Sequence, residues 1–258
     1  MPDPWRILIL GGSTEASALA RHLAPLSGCE VVVSYAGRTR ERVATPGEVR
    51  VGGFGGVDGL VRYLREAAVD VLLDATHPFA AHMPFHAAAA GEATGVPRLR
   101  VCRPPWRARP DDDWRPVPDL AAAAAEVGAL GARRVFLTTG RQELVPFAGV
   151  PGVWFLVRAI EPPEPMPLLD ATVVLARGPF EEAEEVALLT EHRIDAVVSK
   201  NSGGSAAIAK LAAARRLGIP VVMVDRPPAP AGPVAPTVDD ALAWLAGVAP
   251  SLQAGASG

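Results

Sequence analysis

The sequence predicts an α/β protein of two units, each a mainly parallel sheet flanked by helices. Short runs of β-branched and aliphatic residues alternate with alanine-rich stretches, a pattern typical of parallel sheets covered by helices. A proline- and charge-rich stretch interrupts this alternation at residues 103–119, where neither strands nor helices are favoured. We therefore expect a first domain over residues 1–103 and a second over 119–248, with 104–118 as linker and 249–258 as a flexible tail. A cleft between the two domains is the expected ligand site.

The first unit is predicted to contain five strands and three helices. The strands are Ile7–Leu10, Val31–Ser34, Val49–Val51, Val69–Asp74 and Leu99–Cys102, and the helices are Thr14–Leu26, Val57–Ala67 and Ala80–Thr94. In the first helix, alanine and leucine recur at the spacing that places them on one face. Such a face is expected where a helix packs on a sheet.

The second unit repeats the alternation. The strands are predicted at Val135–Thr138, Val153–Val157, Ala171–Leu175, Ala196–Ser199 and Val221–Val224, and the helices at Leu120–Leu130, Phe180–Glu191, Ser205–Leu217 and Asp239–Ala246. Two further clusters of proline, at residues 162–167 and 227–236, are expected to be loops.

Composition excludes several functional classes. A net charge of −3 argues against a nucleic-acid binder, which usually carries a basic excess. No apolar run reaches the roughly 18 residues of a membrane span, and the N-terminus lacks the pattern of a signal peptide. The two cysteines have no metal spacing, which favours a reducing, cytoplasmic location. His82 and His86 share a helix face but lack a third ligand, so no metal site is predicted.

The turn after the first strand is the clearest candidate for a binding site. The stretch LILGGSTEASALA runs from a strand through Gly11 and Gly12 to Ser13 and Thr14 at the start of a helix. Such a turn presents unpaired N–H groups and a partial positive charge to a phosphate, as in Rossmann-like units. It departs from the G-x-G-x-x-G fingerprint, so a plain strand-to-helix connection with a helix cap is the alternative.

The end of the second strand suggests which dinucleotide binds. An NAD-binding fold usually carries an acid there for the ribose hydroxyls, but this chain reads SYAGRTRERV. Arg38 and Thr39 are predicted to contact the cofactor, since an arginine can bind a 2′-phosphate with two N–H groups. Arg40 and Arg42 could share this role. The expected cofactor is therefore NADPH, and a solvated arginine loop is the alternative.

A third stretch, DATHPFAAHM, follows the strand that ends at Asp74. Ligands in open α/β sheets bind at the carboxyl ends of strands, and this places Thr76, His77 and Pro78 beside the cofactor.

Two turns in the second unit also combine strands, glycines and polar groups. One holds Thr139, Gly140 and Arg141, and the other holds Lys200, Asn201, Ser202 and Gly203. Backbone N–H groups, hydroxyls and a cation suit phosphates and carboxylates alike. The second turn lacks the P-loop spacing, and a purely structural role is the alternative for it.

Taken together, LILGGSTEASALA, SYAGRT, DATHPFAAHM, TTGRQEL and SKNSGG resemble the precorrin-6A reductase family of cobalamin (vitamin B12) biosynthesis. The resemblance covers almost the whole chain. It implies an NAD(P)H-dependent oxidoreductase that reduces one ring double bond of precorrin-6A, a tetrapyrrole edged with carboxylates, to give precorrin-6B, and the arginines after the second strand favour NADPH. Arg141, Lys200 and their neighbouring turns would then bind those carboxylates. No catalytic residue is evident: His77 and Tyr35 are weak candidates for the proton donor, and solvent is the alternative.

Two other functions fit parts of the sequence. One is a cobalt-precorrin-6A reductase of the anaerobic branch, which acts on a metallated substrate. The other is a non-catalytic NADP-sensing regulator, although such a protein would have no reason to keep Arg141 and the SKNSGG turn. The expected partners are the tetrapyrrole substrate and other enzymes of the pathway, with no nucleic acid and no membrane.

Overall fold

A computed structural model describes residues 3–37 and 45–250 of the chain, which cluster into two units. Each unit contains a six-stranded parallel sheet flanked by helices, which confirms the predicted fold class. The strands are β1 (Trp5–Leu10), β2 (Cys29–Tyr35), β3 (Glu48–Val51), β4 (Val71–Asp74), β5 (Arg98–Val101), β6 (Trp114–Val117), β7 (Arg134–Leu137), β8 (Trp154–Ala159), β9 (Ala171–Leu175), β10 (Ala196–Lys200), β11 (Val221–Val224) and β12 (Val234–Ala235). The helices are α1 (Thr14–Leu23), α2 (Gly56–Glu66), α3 (Met83–Thr94), α4 (Leu120–Ala129), α5 (Glu182–Glu191), α6 (Ala209–Leu217) and α7 (Val238–Val248), with a short 3-10 turn at Val145–Gly149.

The sheet of the first unit has the order β12-β5-β4-β1-β2-β3. Strand β1 lies at its centre, and the run from Ile7 to Leu10 is almost completely buried because helices cover both faces. Ile7 and Ile9 pack with α1 and α7 on one face, while Leu8 and Leu10 pack with α2 and α3 on the other. The chain order reverses at β1, between β4 and β2. In open α/β sheets, ligands bind at the carboxyl ends of the strands at such a point.

The sheet of the second unit has the order β6-β11-β10-β7-β8-β9. Its core is formed by large apolar side chains of the central strands, among them Phe136, Leu156 and Val197, which pack against α6 through Leu211. Strands β7 and β10 are neighbours, so the two turns that follow them lie at the same edge of the sheet.

The predicted domain boundaries were wrong for the C-terminal segment. The second unit runs from Pro104 to Arg226, and the described residues from Pro227 onward belong to the first unit. Strand β12 pairs with β5, and α7 buries Leu245 in the core that also holds α1. This return could not be read from the sequence because both units have the same alternation of strands and helices. Ala249, predicted as the first residue of the flexible tail, is fully buried, and residues 251–258 lie outside the described residues.

The segment predicted as a linker, residues 104–118, is an ordered part of the second unit. It contains β6, which pairs with β11 at the edge of the sheet. Pro116 is tolerated there because an edge strand has one side on which no backbone N–H is required. The proline-rich stretch therefore contains both the start of the second unit, at Pro104, and an edge strand, which holds Pro116.

Among residues 3–37 and 45–250, no helix is both long enough and apolar enough to cross a membrane.

Candidate functional site

The glycine turn lies at the carboxyl end of β1, between the ends of β2 and β4. Gly11 donates its backbone N–H to the carbonyl oxygen of Ser34 at 2.8 Å. A β-carbon at Gly11 would lie 2.8 Å from the ring of Tyr35, so no side chain fits there. The Tyr35 ring therefore packs against the first half of the turn. Its hydroxyl lies 3.2 Å from Oγ1 of Thr45.

Gly12 faces the loop that follows β4. Its φ angle of +135° is one that residues with side chains rarely adopt. A β-carbon at Gly12 would lie 3.6 Å from the backbone nitrogen of His77. The backbones of Gly12 and of the loop after β4 thus lie side by side and form a cradle with no side chain at position 12. Such a cradle, next to the N-terminus of α1, fits the pyrophosphate of a dinucleotide.

Ser13 caps α1 and is not available as a phosphate donor. Its Oγ accepts the backbone N–H of Ala16 at 3.2 Å and donates its own hydrogen to the carbonyl oxygen of Ala75 at 2.8 Å. Thr14 donates its hydroxyl to the carboxylate of Glu15 at 3.2 Å. The backbone N–H groups at the start of α1 have no intrahelical acceptors, and apart from that of Ala16, which Ser13 caps, they are the candidate donors to an anion.

Asp74, which the sequence reasoning did not single out, holds the loop after β4. Its carboxylate is fully buried, and Oδ1 accepts both the backbone N–H of Thr76 at 3.2 Å and the Thr76 hydroxyl at 2.7 Å. Pro78 is buried as well. Of the residues predicted in this loop, His77 lies beside Gly12, and Thr76 is hydrogen-bonded to Asp74 at the end of β4.

His77 has a defined tautomer. Its Nδ1 accepts the backbone N–H of Phe79 at 3.2 Å, so the neutral ring carries its proton on Nε2. A second proton on Nδ1 would point at the Phe79 N–H and break this bond. The ring is therefore suited to donating a hydrogen bond from Nε2 and poorly suited to acting as an acid.

The residues predicted to select the cofactor, Arg38 and Thr39, lie outside the described residues. A further arginine, Arg50, occurs at the same end of the sheet and was not predicted. It donates to Oγ of Ser34 at 3.2 Å and to the carbonyl oxygens of Gly52 at 2.6 Å and Gly53 at 2.9 Å. Its guanidinium also stacks on the ring of Phe54 at 3.8 Å. Arg50 therefore fixes the connection that follows β3.

In the second unit, each predicted cation has a carboxylate partner. Arg141 forms an ion pair with Glu161 at 2.7 Å, and Lys200 forms one with Glu143 at 2.7 Å. Sequence reasoning missed both acids, although Glu143 follows Arg141 by only two residues. Of the other residues predicted at this turn, Gly140 has a φ of +104°, and the Thr139 hydroxyl is buried with no hydrogen-bonding partner among the described residues.

The SKNSGG turn is anchored to both segments through which the chain enters and leaves the second unit. The Asn201 side chain accepts the backbone N–H of Trp106 at 2.7 Å and donates to its carbonyl oxygen at 3.2 Å. Arg226 donates to the carbonyl oxygens of Asn201 at 2.8 Å and Ser202 at 3.0 Å. A β-carbon at Gly203, whose φ is +69°, would lie 2.0 Å from the carbonyl oxygen of Pro104. Asn201, Ser202 and Gly203 therefore stabilise the fold of the second unit, in addition to any role in binding.

Behind the turn lies a buried lysine. Lys210 donates to the carbonyl oxygen of Ala207 at 2.9 Å, and its ammonium lies 5.0 Å from the centre of the Trp106 ring. Burial lowers its pKa to about 7, because a charged ammonium is poorly solvated there. The neighbouring Arg158 acts in the same direction. Lys210 thus packs against the Trp106 ring from the interior of the second unit.

Within the described parts of the chain, no group of three His, Cys, Asp or Glu side chains is placed to hold a metal ion.

A doubly wound parallel sheet with a glycine turn at its switch point is the architecture of the Rossmann-like class, whose members bind nucleotides at this place. The chain belongs to the Precorrin-6x reductase CbiJ/CobK family, which matches residues 6–246. The resemblance noted in the sequence is thereby confirmed.

Individual relatives agree with this family. The chain is 51% identical to "Precorrin-6A reductase" of Rhodococcus erythropolis, over 93% of this chain and 97% of that one. It superposes on the solved structure "CobK precorrin-6A reductase" with a TM-score of 0.89 and 49% identity, covering 95% and 97% of the two chains. "Cobalt-precorrin-6A reductase" of Priestia megaterium is a more distant relative, 27% identical over 91% of this chain and 95% of that one. The family and its fold are consistent with a nicotinamide cofactor.

Proposed function

We propose that this protein reduces one ring double bond of precorrin-6A with NADPH, giving precorrin-6B. The observation that carries the proposal is the 51% identity to a precorrin-6A reductase over nearly the whole of both chains. The glycine turn supports it, because Gly12, with a φ of +135°, lies beside the His77 backbone and the N-terminus of α1, an arrangement that suits a pyrophosphate. The identity to the cobalt-precorrin-6A reductase of Priestia megaterium is lower, at 27%, and this difference favours the metal-free substrate.

The residues of the first unit would bind and orient the reactants. Gly11 and Gly12 allow close approach of the pyrophosphate, and the N-terminus of α1 stabilises its charge. When bound, a nicotinamide cofactor supplies the hydride for the ring carbon. The adjacent carbon then needs a proton, and we propose that solvent delivers it, because Nδ1 of His77 already accepts the Phe79 N–H. Catalysis would thus depend mainly on positioning.

The second unit would hold the carboxylates of the macrocycle. In the structure, Arg141 forms an ion pair with Glu161, and Lys200 forms one with Glu143. A substrate carboxylate would take the place of a glutamate, so that each cation exchanges one charged partner for another. Thr139, Gly140 and the residues from Asn201 to Gly203 would complete this surface with backbone groups.

We expect Lys200→Ala and Arg141→Ala each to lower kcat/KM for the macrocycle by about tenfold, the scale of one charge-assisted contact. Steady-state assays at varied precorrin-6A concentration would measure this, with the NADPH Kd measured separately and expected to change little. Glu143→Gln, which removes the competing carboxylate, is expected to lower the substrate KM.

Arg115→Ala is the matched control, because it removes an exposed arginine on β6 that forms an ion pair with Asp113. Its kinetics should equal those of the unmodified protein. If Lys200→Ala weakened NADPH and spared the substrate, the assignment of the two units would be reversed.

The decisive experiment for the function is NADPH oxidation followed with precorrin-6A and with cobalt-precorrin-6A as alternative substrates. We expect rapid oxidation with the metal-free compound and a much lower kcat/KM with the cobalt form. The reverse order would identify the cobalt compound as the substrate. NADPH binding without oxidation of either compound would instead indicate a sensor of NADPH.

We also propose a setting for the reaction. Cys29 and Cys102 are both free thiols, as is usual in a reducing compartment, which supports a cytoplasmic location. Since both substrate and product are pathway intermediates, other enzymes that bind the same macrocycle are the expected protein partners.

A further inference from the structure

A shielded ion pair lies directly beside the glycine turn. Glu15 is the second residue of α1, two positions after the capping Ser13. Its Oε2 lies 2.8 Å from Nη1 of Arg103, which follows β5 at the end of the first unit's opening segment. The two side chains are only 15% and 16% exposed. A residue 88 positions away in the chain is thus brought to the start of α1.

The position of Glu15 creates a conflict at this turn. A carboxylate in the first turn of a helix stabilises the helix, because it faces the positive end of the helix dipole. The same positive end is what the phosphates of a dinucleotide require. An uncompensated carboxylate one turn from the pyrophosphate would repel it, and low exposure would leave that repulsion poorly screened by solvent.

We propose that Arg103 is a positioning residue for the cofactor, which cancels the charge of Glu15 so that the N-terminus of α1 remains attractive to the pyrophosphate. The inference rests on the proposed function, in which the glycine turn binds NADPH. It assigns Arg103 no contact with the cofactor. Its effect is electrostatic and acts through Glu15.

Hydrogen bonds connect the Glu15–Arg103 ion pair to the start of α1. The Glu15 carboxylate also accepts the hydroxyl of Thr14 at 3.2 Å, so Arg103, Glu15 and Thr14 form one connected group. This group joins the segment after β5 to the first turn of α1. Glu15 thereby orders the start of the helix, and Arg103 removes the electrostatic cost to anion binding.

The test is the NADPH Kd of three variants of the full chain, measured by calorimetry at low salt. Arg103→Ala should raise the Kd by about tenfold, since it leaves the Glu15 carboxylate unpaired near several phosphate charges. Glu15→Gln should bind NADPH at least as tightly as the unmodified protein. The double variant should return to within about twofold of it, because no carboxylate is left to compensate. Added salt should reduce the effect of Arg103→Ala.

Arg6→Ala is the matched control, since Arg6 and Glu30 form an ion pair in the same unit that is 40% and 47% exposed. It should leave the Kd unchanged. If Arg103→Ala does not fold, Arg103→Lys tests the same idea: it keeps the charge and should keep the Kd. A double variant as weak as Arg103→Ala, or a loss of affinity in Glu15→Gln, would overturn the inference. A Gly12→Val variant that binds NADPH normally would instead overturn the proposed site itself.

Discussion

Gly12→Val is expected to abolish NADPH binding while the protein remains folded. Gly12 has a φ of +135°, and a β-carbon there would lie 3.6 Å from the backbone nitrogen of His77. The two γ-methyl groups of valine would extend into the space where the pyrophosphate is expected. We expect the Kd to rise by at least about 100-fold, because close backbone approach and the helix N-terminus are lost together.

Calorimetric titration with NADPH measures this loss, and a thermal melt measures the stability of the same sample. Backbone strain of about 1–3 kcal/mol is expected to lower the melting temperature without unfolding the protein. Gly28→Val is the matched control: its φ is also positive, at +78°, but nothing lies within 4 Å of a β-carbon there. It should lose stability and keep its NADPH affinity. A folded Gly12→Val with near-normal affinity would place the phosphates elsewhere.

Most strands of both units could be predicted because buried parallel strands are short, continuous apolar runs. Helix starts were predicted less well where the chain makes an irregular turn before the helix. The helix predicted from Ala80 begins at Met83, and the one predicted from Ser205 begins at Ala209. In the first of these, Pro84 in the first turn is a start signal that would have given the better boundary.

The return of the chain to the first unit could not be predicted. Strand β12 has only two residues, Val234 and Ala235, and lies within a proline-rich stretch. Its pairing with β5 depends on the tertiary arrangement of the sheet, since no local pattern distinguishes a strand of one parallel sheet from a strand of another. The fold class could therefore be predicted and the domain boundary could not.

The candidate site shows the same division. Residues on strand-to-helix turns were found because parallel strands bring their carboxyl ends to one edge. Their partners were not found, because Glu143, Glu161 and the pair of Glu15 with Arg103 depend on which loops become neighbours. A charged residue that the sequence offers as a ligand contact can therefore form an ion pair with another side chain in the folded unit.

The second large effect is expected at the end of β2, where Arg38→Ala should weaken NADPH far more than NADH. Loss of a charge-assisted contact with the 2′-phosphate costs about 1.5–3 kcal/mol, or about 10- to 150-fold in Kd. NADH lacks this phosphate, so its Kd should be unchanged. The described arginine at this edge, Arg50, already binds the carbonyl oxygens of Gly52 and Gly53, which leaves the arginines after Tyr35 as the candidates for this role.

Calorimetry with both cofactors provides the ratio that matters, because a variant that merely destabilises the first unit would weaken NADPH and NADH equally. Arg62→Ala, an exposed arginine on α2, controls for the loss of one positive charge from the same unit and should leave the ratio unchanged. Arg40→Ala and Arg42→Ala test whether the contact is shared, in which case each single variant shows a smaller loss. Equal weakening of both cofactors in Arg38→Ala would show that this arginine does not recognise the 2′-phosphate. Because NADPH and NADH differ only in that phosphate, a change in the ratio that Arg38→Ala causes and Arg62→Ala does not is the signature of a contact with the 2′-phosphate.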